Sequence, residues 1–173
     1  MRAAIFTEGS STTSKSTESY SEFFEGSFLS VNTLADDLSG YCDTEIHVLS
    51  EIYGYVEGED VVESEPTVNR SKYTARFEES LLSQVAELDV VVLLFTTDVF
   101  KQIITPNWET LVKQAKPDSI WCLGTSRSAL NSVDVESLKS QHSVLIYQRR
   151  GVARVGTETR EELIDHVRAQ LDD

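Results

Sequence analysis

Apolar residues in this chain follow two spacings. Five short runs are apolar almost without interruption: Ala3 to Thr7, Glu45 to Leu49, Val90 to Phe95, Ile120 to Leu123 and Val144 to Tyr147. A strand with one wet face alternates, whereas a strand covered on both faces reads as a continuous run, so these segments predict a parallel sheet between two layers of helices. Val90-Val91-Val92-Leu93-Leu94-Phe95 is the purest run and is expected to be central. Between the runs the period lengthens to three and four. Phe24, Phe28, Val31, Ala35 and Leu38 predict a helix from about Ser16 to Ser39, with Gly26 as a candidate break; Tyr73, Phe77, Leu81 and Val85 predict a second. Trp108, Leu111 and Val112 predict a third, Val133 to Leu138 a shorter fourth. Leu163, Ile164, Val167 and Leu171 form the apolar face of a last helix, for which Thr159 and Glu162 are read as a capping box. The order β-α, five times over, predicts one domain over residues 1–173. It is an α/β fold, a three-layer α/β/α sandwich with a mainly parallel five-stranded sheet of Rossmann-like or flavodoxin-like type.

One stretch breaks the alternation. Ser50 to Ser71 is too long for an ordinary βα connection and carries Glu51, Glu57, Glu59, Asp60, Glu63 and Glu65 before its first basic residue, Arg70. Long loops of this kind are functional or disordered, and a lid is one expectation.

In open parallel sheets, ligands bind beyond the carboxyl ends of the strands. The residues that follow each run therefore form the candidate rim: Gly9 to Ser16; Ser50, Tyr53 and Gly54; Thr96, Thr97 and Asp98; Gly124, Thr125, Ser126 and Arg127; Gln148, Arg149 and Arg150. The first group, from Gly9 through Ser10 to Lys15 and Ser16, reads G-x-x-x-x-S-K-S. It differs by one residue, Ser14 for glycine, from the phosphate-cradling G-x-x-x-x-G-K-[ST]. A flexible hydroxyl-rich connection with a solvated lysine fits it equally. Gly124-Thr125-Ser126 before Arg127 is a second candidate anion site, since a strand feeding a helix through small residues leaves N–H groups facing outward. Helix capping by Thr125 or Ser126 explains the same residues. Arg127, Arg149, Arg150 and Arg154 stand out in so acidic a chain, and arginine forks suit phosphate or carboxylate; a solvated turn or a dimer interface would use them as well. Asp98 invites a magnesium-organising reading, although acids often begin turns after strands.

Composition narrows the classes. The 29 acidic residues against 15 basic ones give a net charge of −14. This resembles the surfaces of proteins from salt-accumulating cells, which stay hydrated in strong salt, more than an acidic face built for a basic partner. It also argues against a broad nucleic-acid face. Cys42 and Cys122 lack metal-ligand spacing, and His47, His142 and His166 are scattered, so no metal site and no nucleophile triad is expected. Asp134 and Glu136 point different ways on a helix and give no carboxylate pair. The N-terminus has no charged-then-apolar leader and no run approaches membrane-spanning length, so a cytoplasmic protein without membrane contact is expected.

His47-Val48-Leu49-Ser50-Glu51-Ile52-Tyr53-Gly54-Tyr55-Val56 resembles the I-L-S-A-x-(Y/H)-G-L-(V/L) signature of YaaA-like, peroxide-stress-type domains. Upstream, Ser14-Lys15 is followed by Tyr20, Phe23, Phe24 and Phe28 and then Ala35, similar to the approach in that family, so the likeness covers roughly residues 3 to 75. Glu51 stands for the usual alanine, Tyr55 for leucine, and the expected Pro-Tyr is represented only by Pro66 and the more distant Tyr73. The resemblance implies a small α/β domain whose relatives are linked to oxidative stress, DNA contact and modified-base metabolism, and it marks Lys15, Ser50, Tyr53 and Gly54.

The expectation is thus a salt-adapted protein that binds a nucleotide, nucleobase or nucleic-acid end at the carboxyl edge, with Lys15 and Arg127 meeting phosphate and Tyr53 lining the pocket. One alternative is a degenerate P-loop protein using Lys15, Ser16 and Asp98 with Mg²⁺. Another is a non-enzymatic interaction domain using the acidic loop. Spacing names no cofactor and no acid, base or nucleophile, and a homo-oligomer stays open.

Overall fold

The five apolar runs all become strands, and a sixth, shorter strand joins them. The computed structural model describes residues 1–15, 18–63, 70–148 and 154–173. Its strands are β1 (Arg2–Glu8), β2 (Asp43–Ser50), β3 (Gly54–Glu57), β4 (Val90–Leu94), β5 (Ile120–Thr125) and β6 (Ser143–Gln148). They form one sheet in the order β3-β2-β1-β4-β5-β6. All pairings are parallel except that of β3, which runs antiparallel to β2. With β3 set aside, the parallel strands stand in the order second, first, third, fourth, fifth, which is the flavodoxin-like winding. β3 corrects the expectation that 50–71 is irregular. Four residues are too few to show a period against so many acids, and Tyr55 and Val56 become a strand because β2 offers them a ladder.

The helices differ from expectation at their ends. The single helix expected from Ser16 to Ser39 is instead α1 (Tyr20–Phe23), a 3-10 turn over Gly26–Phe28 and α2 (Leu29–Ser39). Gly26 is the break, with φ of 63°, a conformation that ends a right-handed helix. α3 spans Arg70–Gln84. α4 (Thr97–Val99) runs through a π-helical segment, Phe100–Ile104, into α5 (Thr105–Gln114). The wider turn precedes Pro106, which has no N–H to return to the preceding turn. α6 (Arg127–Leu130) and α7 (Val135–Lys139) are short, and α8 (Thr157–Asp172) closes the fold. The capping box read at Thr159 and Glu162 is not there. α8 begins three residues earlier, at Thr157 behind Gly156, which leaves Thr159 inside the first turn. Leu171, expected in the core, is 46% exposed in the last turn.

Alternate residues of β4 point to opposite faces and all are buried. Val90, Val92 and Leu94 pack under α1, α2 and α8 with Phe24, Phe28, Leu34, Leu38, Leu163 and Val167. Val91 and Leu93 pack under α3 to α7 with Phe77, Leu81, Trp108, Leu111 and Leu138. Two apolar layers on one sheet make the three-layer sandwich. Among the described residues no helix is long and apolar enough to cross a membrane.

Candidate functional site

β1 is the strand from which the winding departs in both directions, so the chain leaves its carboxyl end away from its neighbours and a crevice opens between β1 and β4. A cavity of about 290 Å³ lies there, bounded by the end of β1, the 9–13 loop, the β2–β3 turn, Phe24, Ser27, Thr96 and Arg154.

Glu8 ends β1 within this crevice. Its Oε2 accepts the main-chain N–H of Thr96 at 2.6 Å, and its Oε1 accepts the Thr96 hydroxyl at 3.0 Å. The carboxyl thus ties β1 to the chain just beyond β4, across the gap in the winding. Burial pushes its pKa above the ordinary carboxylate value, and nearby Glu51 adds to this; the two Thr96 bonds and the attraction of Arg154 pull the other way without cancelling it.

Arg154 is 3% exposed, unusual for an arginine, and reaches back across the whole chain to β1. Its Nε donates to the Ser27 carbonyl at 3.0 Å, one terminal nitrogen to Thr7 Oγ1 at 3.3 Å and the other to the Glu8 carbonyl at 3.4 Å. The guanidinium also lies over the Phe28 ring, 5.6 Å from its centroid. Gly124 makes this reach possible. A Cβ there would come within 2.6 Å of Leu94 Cδ2 and 3.3 Å of the Arg154 carbonyl, so the chain crosses the end of β5 only over a glycine.

The third wall is the β2–β3 turn. Ser50 Oγ accepts the N–H groups of Ile52 at 3.2 Å and Tyr53 at 3.1 Å, which folds the turn, and Gly54 leaves it with φ of 73°. Tyr53 packs edge-on against Tyr20 and Phe23, at 5.5 and 5.3 Å, so an aromatic cluster supports this side. The segment beyond β3 does not stand off as a lid over its described length. Tyr20 and Ser21 donate their N–H groups to the carbonyls of Asp60 and Gly58, and Glu63 donates to the Tyr20 hydroxyl, strapping it to α1.

Of the residues marked by the sequence, Gly9, Ser10, Ser11, Thr13, Ser50, Tyr53 and Thr96 line the crevice. Gly54 sits behind it against the Tyr73 ring. Lys15 is exposed and is not part of the lining. The loop before it is spent on its own pairing: the N–H groups of Gly9, Thr12 and Ser14 go to Leu49 O, Ser10 Oγ and Phe23 O, and Thr13 bridges Phe24. The helix expected to open at Ser16 begins only at Tyr20 and has four residues. Asp98 is exposed in the first turn of α4. Ser126 caps α6 by accepting from Ala129 N, so the capping explanation accounts for Ser126, whereas the Thr125 hydroxyl donates to the Phe95 carbonyl on the neighbouring strand. Arg127 is exposed at the start of α6, outside the crevice lining. Ser16, Pro66, Arg149 and Arg150 lie outside the described residues.

Sequence reasoning did not assign Glu8, Phe24, Ser27, Leu49 or Ile52 to the site, and it marked Arg154 only as one of several cations in an acidic chain. For Glu8 a signal existed: it is the charged residue that ends the first apolar run. No protein-family model matches the chain and no curated protein matches it.

Proposed function

We propose that the chain binds a nucleobase-, nucleoside- or nucleotide-type small molecule in the crevice between β1 and β4. One observation carries the reading: at the switch point of a flavodoxin-like sheet, a 290 Å³ cavity brings together a clamped carboxyl, a buried guanidinium, several hydroxyls and an aromatic side wall. Its volume suits a base or a nucleoside. The resemblance of residues 3–75 to YaaA-like domains supports the same direction, since Ser50 and Tyr53 of the resembling segment line one wall. Phosphate contact by Lys15 and Arg127 is not part of this reading, because neither lines the cavity. A triphosphate cradle on the 9–15 loop finds no support where the amides of Gly9, Thr12 and Ser14 are already engaged.

The test is calorimetric titration in molar KCl with free bases, nucleosides, their mono- and triphosphates and a short oligonucleotide, with and without Mg²⁺. Base or nucleoside binding that weakens about tenfold or more in Tyr53→Ala, and is unchanged in Lys15→Ala, is the expected result. Binding of triphosphate alone, dependent on Mg²⁺ and Lys15, would overturn it in favour of the P-loop alternative. Silence from every ligand would overturn it in favour of a protein partner.

A further inference from the structure

The carboxyl of Glu8 is over-determined for a brace. Its strand end is held from below by Arg154, which takes the Glu8 carbonyl and the Thr7 hydroxyl. Its side chain is held by Thr96 with one bond to each oxygen. An ionised carboxylate has about four acceptor sites. The Thr96 clamp occupies one on each oxygen, fixes the plane of the group and leaves a second acceptor on each, in a residue that lines the cavity. Two oxygens fixed side by side match a ligand that offers two adjacent donors, and rigidity makes the match selective because no ordering remains to be done on binding.

Charge points the same way. Among the described residues of the lining, Glu8 and Glu51 are the acids and Arg154 the base, its guanidinium donating to Ser27, Thr7 and the Glu8 carbonyl. A phosphate placed at Glu8 would meet a carboxylate at close range.

Taking the crevice as the binding site, on which this step rests, we infer that Glu8 is its specificity-determining residue: it reads a neutral or cationic pair of adjacent hydrogen-bond donors on the ligand and refuses an anionic group there. Two parts of a nucleoside carry that chemistry, the vicinal diol of the ribose and the amino-plus-ring-N–H edge of a base such as guanine.

The experiment titrates wild type and Glu8→Gln in molar KCl with guanosine, inosine, 2′-deoxyguanosine and 2′,3′-dideoxyguanosine. Glutamine keeps an acceptor for the Thr96 N–H and replaces one ligand-facing acceptor with a donor. In wild type, removal of one read donor should weaken binding about tenfold or more. Loss on passing to inosine assigns the base edge; loss on passing to the deoxy sugars assigns the diol. In Glu8→Gln the discrimination should disappear. Thr96→Val, which keeps the main-chain bond to Oε2 and frees Oε1, should blunt it even where Glu8→Gln is unstable. Wild-type binding whose preferences survive both substitutions would overturn the inference and leave the crevice reading intact. Absence of nucleoside binding in wild type would overturn both.

Discussion

Gly54 and Gly26 share a positive φ, 73° and 63°, but not their surroundings. A methyl group on Gly54 would run into the Tyr73 ring, whereas on Gly26 it would lie 3.5 Å from Thr12 and touch nothing closer. Gly26→Ala should therefore cost only the left-handed backbone, about 1 to 2 kcal/mol. Gly54→Ala adds overpacking against α3 and should cost about 3 kcal/mol or more. Urea unfolding in molar KCl measures both, and equal losses would show that the Tyr73 contact yields freely. At this scale the sequence was informative wherever the residue type has one dominant reason. Gly54 follows a strand where a turn calls for positive φ, and it has one. Arg154 was visible as a cation in an acidic chain, but its partners are Ser27 and Thr7, more than a hundred positions away, and no local pattern records such a pairing.

The β2–β3 hairpin carries a second device on its far side. His47 is 1% exposed and stacks on Phe6 at 4.7 Å. Its Nε2 lies 3.2 Å from Glu45 Oε2, which can only accept, so Nε2 carries the proton and Nδ1 accepts from the Tyr55 hydroxyl at 2.7 Å. Tyr55 in turn accepts from Ser80, and Ser80 from Gln84, which stitches α3 to the hairpin. Burial lowers the His47 pKa, outweighing the pull of Glu57 and Glu45. The neutral ring therefore contributes stability that is complete above the ordinary value of about 6.5 and is lost as pH falls through the lower folded value. The stability advantage of wild type over His47→Phe, which keeps the stack, should shrink as pH is lowered from 8 to 5 in chemical unfolding at high salt. A constant difference would show that the ring is not held neutral. This hairpin also marks the limit of pattern reading for elements. Long runs such as Val90 to Leu94 announce themselves because both faces are covered, whereas β3 is four residues whose existence depends on the strand beside it.

For the molecule as a whole, a net charge of −14 over 173 residues stores repulsion that dissolved ions relieve. Thermal unfolding should move upward by about 10 °C between dilute buffer and molar KCl, with much of the gain below about 0.5 M as the screening length shortens. A melting temperature indifferent to KCl would sink the salt-adapted reading. The layering and the parallel core were legible because burial on two faces leaves a compositional mark. The winding order was not, because it is decided by how helices pack on the finished sheet, and the position of the crevice follows from that order.

The crevice joins Thr7 and Glu8 to Arg154, partners separated by 147 and 146 positions. During synthesis the first wall exists long before the last. A nascent chain could hold all six strands, with Ser50 and Thr96 in place, while the arginine that fixes the end of β1 is still unmade. The last wall would then arrive as a late, discrete event after the sheet is complete, and chains stalled or clipped ahead of Arg154 would lack both that arginine and α8, which covers one face of the sheet.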